Sequence, residues 1–179
     1  LSGVGLHTGK HVNITFKPAP ADTGLVFVRD DVDGDNLINA HIKYISNTDR
    51  GTNLDNGLFR IHTSEHVLAA ITGLDIDNCF ICLDGPEVPI MDGSSKFFIN
   101  ALEQAKIVEQ NVLREEFFPS EPISYLCEDT GSKISILPDD NYRVNTLVDY
   151  KTRVLGEQEA SINHISEFKK EISSARTFS

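Results

Sequence analysis

The chain has 179 residues, with 16 Lys plus Arg set against 27 Asp plus Glu for a net charge of -11, and no basic patch interrupts that acidity. Such a charge repels phosphate backbones and excludes nucleic-acid binding as a working function. The 40% hydrophobic content, free of repeats and low-complexity tracts, excludes disorder.

In chain order, His11 to Lys17 alternates Val12, Ile14 and Phe16 with polar residues, and a Pro-rich turn over residues 18–24 leads to the apolar run Leu25 to Val28. The pattern predicts a hairpin with a long loop. Thr63 is a suitable N-cap for a helix whose apolar face is Val67, Leu68, Ile71 and Leu74, with Gly73 near its end. Glu65 and His66 then stand in the first turn of that helix. A strand is expected over Ile76 to Asp84, then a Pro-rich loop over Gly85 to Asp92. A second helix follows from about Ser95 to Glu109, burying Phe98, Leu102 and Ala105.

The polar stretch from Gln110 to Glu116, leading into Pro119, marks the domain boundary, with modules expected over 1–112 and 117–179. The second module reads as strands over Ile123 to Cys127, Lys133 to Leu137 and Tyr142 to Tyr150, then a short helix near Ile162 to Lys170. Its first two strands faintly echo the strand-loop-strand unit near the N-terminus. The three cysteines, Cys79, Cys82 and Cys127, are too few and too oddly numbered for a disulfide framework. Cys79 and Cys82 lie in a strand-like run, where positions three apart point to opposite faces, and read as small buried hydrophobes. No apolar run approaches the ~20 residues that a bilayer requires, and no leader precedes Leu1, so a cytoplasmic protein is expected.

His62-Thr63-Ser64-Glu65-His66 is the stretch best equipped for chemistry. It sets a carboxylate, stabilised by the positive end of a helix, beside an imidazole able to hold a metal. Taken as His-x-x-Glu-His, it also matches the inverted zinc peptidase pattern, with Glu128 or Glu157 as a third ligand. The bland alternative is a set of solvated polar residues at a helix start. His62 precedes Thr63, so helical i,i+4 geometry does not clearly reach it.

Four segments occur in a telling order: Gly3-Val4-Gly5-Leu6-His7-Thr8-Gly9, Asp49-Arg50-Gly51-Thr52, Thr63 to Ala70, and Glu87-Val88-Pro89-Ile90-Met91-Asp92-Gly93-Ser94-Ser95. Together with Ser174-Ala175-Arg176-Thr177-Phe178 they closely resemble the UDP-3-O-acyl-N-acetylglucosamine deacetylases, the zinc amidohydrolases of lipid A synthesis in Gram-negative bacteria. The resemblance covers essentially the whole chain. It implies an α+β architecture of two related sheet-plus-helix modules packed as a sandwich, the second truncated in these residues. It implies a cytoplasmic hydrolase, with UDP-3-O-acyl-N-acetylglucosamine as substrate and Zn2+ as cofactor. His66 would be the first of three zinc ligands and Glu65 the general base. Thr177 would bond the oxyanion, and Leu6 and Phe178 would lie near the acyl-chain passage. Glu65 and Thr177 are expected on one cleft.

On this resemblance His62 is a solvated strand-end residue outside the metal site, and His7 braces a turn. Asp92 and Gly93 make a turn, with Ser94 or Ser95 capping the next helix. The family's other two zinc ligands come from a later His-x3-Asp pattern. His164 has Phe168 four residues on and does not supply it. One histidine cannot hold catalytic zinc, which takes about three protein ligands, so these residues alone are expected to be inactive. A non-catalytic remnant that kept the first module remains the competing reading.

Overall fold

The computed structural model describes residues 1–177 as an α+β protein. Contacts divide the chain into two compact units, residues 1–111 with the segment from Ile165, and Val112–His164. Residues 165–177, which the sequence reading carries with the second module, thus group with the first unit. Among the described residues no helix is long and apolar enough to cross a membrane.

The first unit is built on a five-stranded sheet of β1 (Ser2–Val4), β2 (His11–Pro18), β3 (Leu25–Arg29), β4 (Leu37–Asn39) and β8 (Cys79–Leu83). Their spatial order is β1-β2-β8-β3-β4. β2 and β3 therefore do not form the expected hairpin. β8 lies between them, antiparallel to β2 with Phe16 opposite Ile81, and parallel to β3 with Phe27 opposite Ile81. The reason is composition: Cys79, Ile81, Cys82 and Leu83 are all buried, as suits a central strand covered on both faces. Burial pushes the Cys79 thiol up to about 11 and raises that of Cys82, so both behave as inert hydrophobes.

A second sheet comprises β5 (Ile45–Asn47), β6 (Asn53–Asp55) and β7 (Arg60–Ile61). It is tied to β3 by Arg29, which is 7% exposed and whose Nη1 donates to the Arg60 carbonyl at 2.9 Å. Helices α1 (Glu65–Gly73) and α2 (Lys96–Ala105) complete the core, contributing Val67, Ala70 and Ile71 from one and Phe98, Ile99 and Leu102 from the other. α2 stops at Ala105, short of the expected Glu109. Lys106 takes a positive φ of 66°, and Ala105 is exposed rather than buried.

The segment from Ile165 returns to this unit through α3 (Phe168–Glu171). The Phe168 ring occupies the space where a Cβ at Gly73 would stand. That close approach, rather than helix termination, is the reason for glycine at position 73. Lys169 Nζ pairs with Glu103 on α2 at 2.6 Å.

The second unit holds two antiparallel ribbons. β9 (Ile123–Leu126) pairs with β10 (Lys133–Ile136), and β11 (Val144–Asp149) pairs with β12 (Glu157–Ile162). β12 is absent from the sequence expectation because Glu157-Gln158-Glu159-Ala160 has no apolar alternation to reveal it.

Candidate active site

α1 begins where four separate segments meet. Ser64 occupies the N-cap position, but its hydroxyl makes no cap. Instead Ser64 Oγ donates to the Thr52 carbonyl at 2.8 Å, and the Ser64 N–H donates to the same carbonyl at 3.0 Å. Thr63, the expected cap, lies one residue outside. Its Oγ1 donates to Glu87 Oε1 at 3.0 Å.

Glu65 stands in the first turn, where the helix dipole favours its negative charge. Its Oε2 accepts the Thr52 N–H at 2.8 Å. Gly51, with a φ of 152°, passes close by, and a Cβ there would lie 3.2 Å from Glu65 Oε1. A side chain there would press on this carboxylate, and the φ itself favours glycine. His66 Nε2 is 4.0 Å from Glu65 Oε1, with side-chain exposures of 15% for the imidazole and 35% for the carboxylate. The pair is sheltered but accessible. The His66 carbonyl accepts from Ser95 Oγ at 3.0 Å, which fixes the start of α2 against the start of α1. Ser95 is therefore occupied, and Ser94 Oγ takes over part of the capping by accepting the Lys96 N–H at 3.3 Å.

Thr177 packs against the loop that leads into α2. Its N–H donates to the Gly93 carbonyl at 2.8 Å, and its Cγ2 would be 3.5 Å from a Cβ at Gly93. Gly93, with a φ of 82°, is two residues from the Ser95 that holds His66. Thr177 and His66 are thus joined through a single loop. Asp92 beneath it is held below the usual carboxylate range by the Ser94 hydroxyl, with further help from Arg176. Leu6 is 54% exposed in the turn between β1 and β2. Phe178 lies outside the described residues.

Glu87 is the organising residue that the sequence reading passed over. It is 0% exposed, and its carboxylate gathers donors from three residues. These are the His7 N–H at 3.0 Å to Oε1 and 3.2 Å to Oε2, the Thr8 N–H at 2.8 Å, and the Thr63 hydroxyl. Burial alone would raise its pKa, but the amides of His7 and Thr8 and the hydroxyls of Thr8 and Thr63 outweigh it, leaving the carboxyl below its ordinary value. A Cβ at Gly5 would collide with this carboxylate, which accounts for that glycine. The signal available in sequence was the glycine-bounded turn itself, which needs an anion or a strand to satisfy its amides.

His7 does brace a turn, donating from Nε2 to the Arg50 carbonyl at 3.0 Å. His62 is not solvated. It is half-buried, bridges to Glu87 through the backbone, and donates from Nδ1 to Asn53 Oδ1 at 3.1 Å. Burial lowers its pKa. Thr63 takes a φ of 58° between it and the helix, so His62 and His66 do not share a helical face. Nothing in this arrangement favours the inverted peptidase pattern. Among the described residues no three His, Cys, Asp or Glu side chains come together as a metal site. His66 has the chemistry and shelter of one metal ligand, with the Glu65 carboxylate beside it.

The family model described as UDP-3-O-acyl N-acetylglycosamine deacetylase matches residues 1–179. The chain is 44% identical over 179 residues to a bifunctional enzyme LpxC/FabZ of Chlorobaculum tepidum, covering 99% of this chain and 38% of that protein. It is 38% identical over 180 residues to a UDP-3-O-acyl-N-acetylglucosamine deacetylase of Acidithiobacillus ferrooxidans, covering 99% of this chain and 59% of the relative. A protein of the same name from Bdellovibrio bacteriovorus is 38% identical over 181 residues, again with 59% covered. The chain therefore spans between about two fifths and three fifths of the length of these relatives.

Proposed function

The chain belongs to the UDP-3-O-acyl N-acetylglycosamine deacetylase family, and on that premise we propose that its protein hydrolyses the N-acetyl group of UDP-3-O-acyl-N-acetylglucosamine in lipid A biosynthesis. The observation that carries this reading is the convergence of the four segments on the start of α1, where Glu65 is held by the Thr52 N–H and lies against His66. A charge-stabilised, partly exposed carboxylate beside a sheltered imidazole is what a water-activating amidohydrolase needs.

In the proposed reaction Glu65 takes a proton from the attacking water as its oxygen bonds to the acetyl carbon. The Thr177 hydroxyl donates to the developing oxyanion. The C–N bond then breaks, acetate departs, and the sugar nitrogen takes up a proton to leave as an amine. Leu6 lines the route of the acyl chain, a role that the family resemblance also assigns to Phe178. His66 would hold Zn2+ with ligands from outside these 179 residues, and the ion, when bound, supplies Lewis acidity. These residues alone offer one ligand, so we expect them neither to hold zinc tightly nor to turn over. We read residues 117–164 as the opening of the family's second module.

The test is acetate release from the nucleotide sugar by the longer protein that contains this chain. Activity that a chelator abolishes and zinc restores, and that Glu65→Gln lowers by at least about 100-fold, supports the reading. Undiminished turnover in Glu65→Gln would remove Glu65 from its role.

A further inference from the structure

Thr63 holds a backbone conformation that its own side chain resists. Its φ of 58° lies in the left-handed region, where a β-branched residue is an outlier that the surroundings must enforce. The surroundings here are specific. Upstream, the His62 N–H donates to the Pro86 carbonyl at 2.9 Å, and the Val88 N–H donates to the His62 carbonyl at 3.1 Å. Downstream, the Ser64 N–H is tied to Thr52 at 3.0 Å. The chain must therefore turn from a bridge into a helix at one residue, and that residue is 2% exposed. Its hydroxyl is anchored on Glu87 Oε1.

The same carboxylate reaches the other way. Its oxygens accept the backbone N–H groups of His7 and Thr8, and Gly5 is bare because a Cβ would strike Glu87. Neither a hairpin turn nor a helix start needs an ionised group to form. Burying one carries a desolvation cost that only a full set of donors offsets. Here the donors come from two segments far apart in sequence, one with His7 and Thr8 and the other with Thr63.

Resting on the deacetylase reading, we propose that Glu87 is a positioning residue for that reaction. It locks the turn presenting Leu6 to the strained Thr63 that presents Glu65 and His66. The acyl-contacting side chain and the catalytic base are thereby held in one register by a single carboxylate, which touches neither substrate nor reacting atoms.

Three variants of the longer, zinc-loaded protein test this. Glu87→Met keeps the side chain's length but offers no oxygen to either segment. Thr63→Gly removes the hydroxyl while tolerating the left-handed φ, and Thr63→Ser retains the hydroxyl. Both Glu87→Met and Thr63→Gly should lower kcat/KM by about 10- to 100-fold, the usual cost of losing a group that orients a catalytic residue. Thr63→Ser should recover most of what Thr63→Gly loses. The two losses should differ in kind. Glu87→Met raises KM more for a long-chain than for a short-chain acyl substrate, because it frees the Leu6 turn. Thr63→Gly acts on kcat and leaves chain-length preference alone. Hydrogen exchange on the metal-free protein gives a readout independent of turnover. The His7 and Thr8 amides should lose protection in Glu87→Met and keep it in Thr63→Gly.

Retained protection of His7 and Thr8 in Glu87→Met overturns the proposal. So does a folded Glu87→Met protein that keeps wild-type kcat/KM at both chain lengths. Were the wild-type protein to release no acetate, the deacetylase reading would fall, while the exchange measurement would still decide whether Glu87 clamps the turn.

Discussion

The two units of this chain form strands for different reasons. In residues 1–111 the central strands of the main sheet exist because each has a face to bury: Val12 and Ile14 on β2, Phe27 on β3, and Ile81 and Leu83 on β8 are all at zero exposure. In Val112–His164 the ladders are as regular, yet Tyr125 and Leu147 are each 64% exposed and Ile134 is 63% exposed. Alternation and turn residues suffice to register a ribbon, but a two-stranded ribbon without a packed face is marginal in water. Local pattern draws strands, and burial makes them stable. The candidate active-site residues Leu6, Glu65, His66 and Thr177 all belong to the unit with the core.

Substitutions in the two units should therefore separate by size. Phe98→Ala, at 0% exposure, should destabilise the first unit by about 3 to 5 kcal/mol, read as a shift in urea midpoint. A loss below about 1 kcal/mol would mean that the core is far looser than its burial suggests.

Acid should act next, and on the same unit. Asp31, Asp55, Asp84, Glu87 and Asp92 all sit below their ordinary values there, so the folded state binds fewer protons than the unfolded one. Their support is complete above about pH 4.3, the ordinary carboxylate range, and is lost as pH falls through the lower folded values. Thermal midpoints measured from neutrality downward should stay flat and then fall steeply. With Glu87→Gln the fall should be shallower. An unchanged slope would deny Glu87 its part in acid sensitivity.

Gly73→Ala places a methyl group in the Phe168 ring and should cost about 1 to 3 kcal/mol. It should also expose residues 165–177 to proteolysis before α1 is attacked. At the small end, Leu147→Ser on β11 should change stability by no more than about 0.5 kcal/mol, because that side chain is already in water. A larger loss would show that the second unit buries this face in solution, and the contrast between the units would fail.

Much of this architecture was legible one element at a time. β2, β3, β8 and β11 follow from apolar alternation or continuous apolar runs, and α1 from its Val67, Leu68, Ile71 and Leu74 spacing, of which Val67 and Ile71 are buried. What alternation does not encode is partnership, which is why β2 and β3 read as a hairpin although β8 separates them. The end of α2 was misjudged because Ile107 and Val108 extend the apolar count, while Lys106 breaks the helix with a positive φ that no lysine advertises. At the site, the adjacency of Glu65 and His66 is written in the sequence. Glu87 is not, since a glutamate before Val88-Pro89 reads as solvated until the turn amides of His7 and Thr8 are seen to converge on it. The meeting of Thr177 with Gly93 likewise needed the return of the chain along Phe168.

The position of β8 also governs the order in which the molecule assembles. The strand begins at Cys79, long after β3 ends at Arg29, so the central row of the sheet is the last to be synthesised. Until it arrives, β2 and β3 each expose an unpaired edge to the other. A hairpin between them, though local in sequence, would leave β8 no place, so the native order forms only when residues 79–83 pair with both strands.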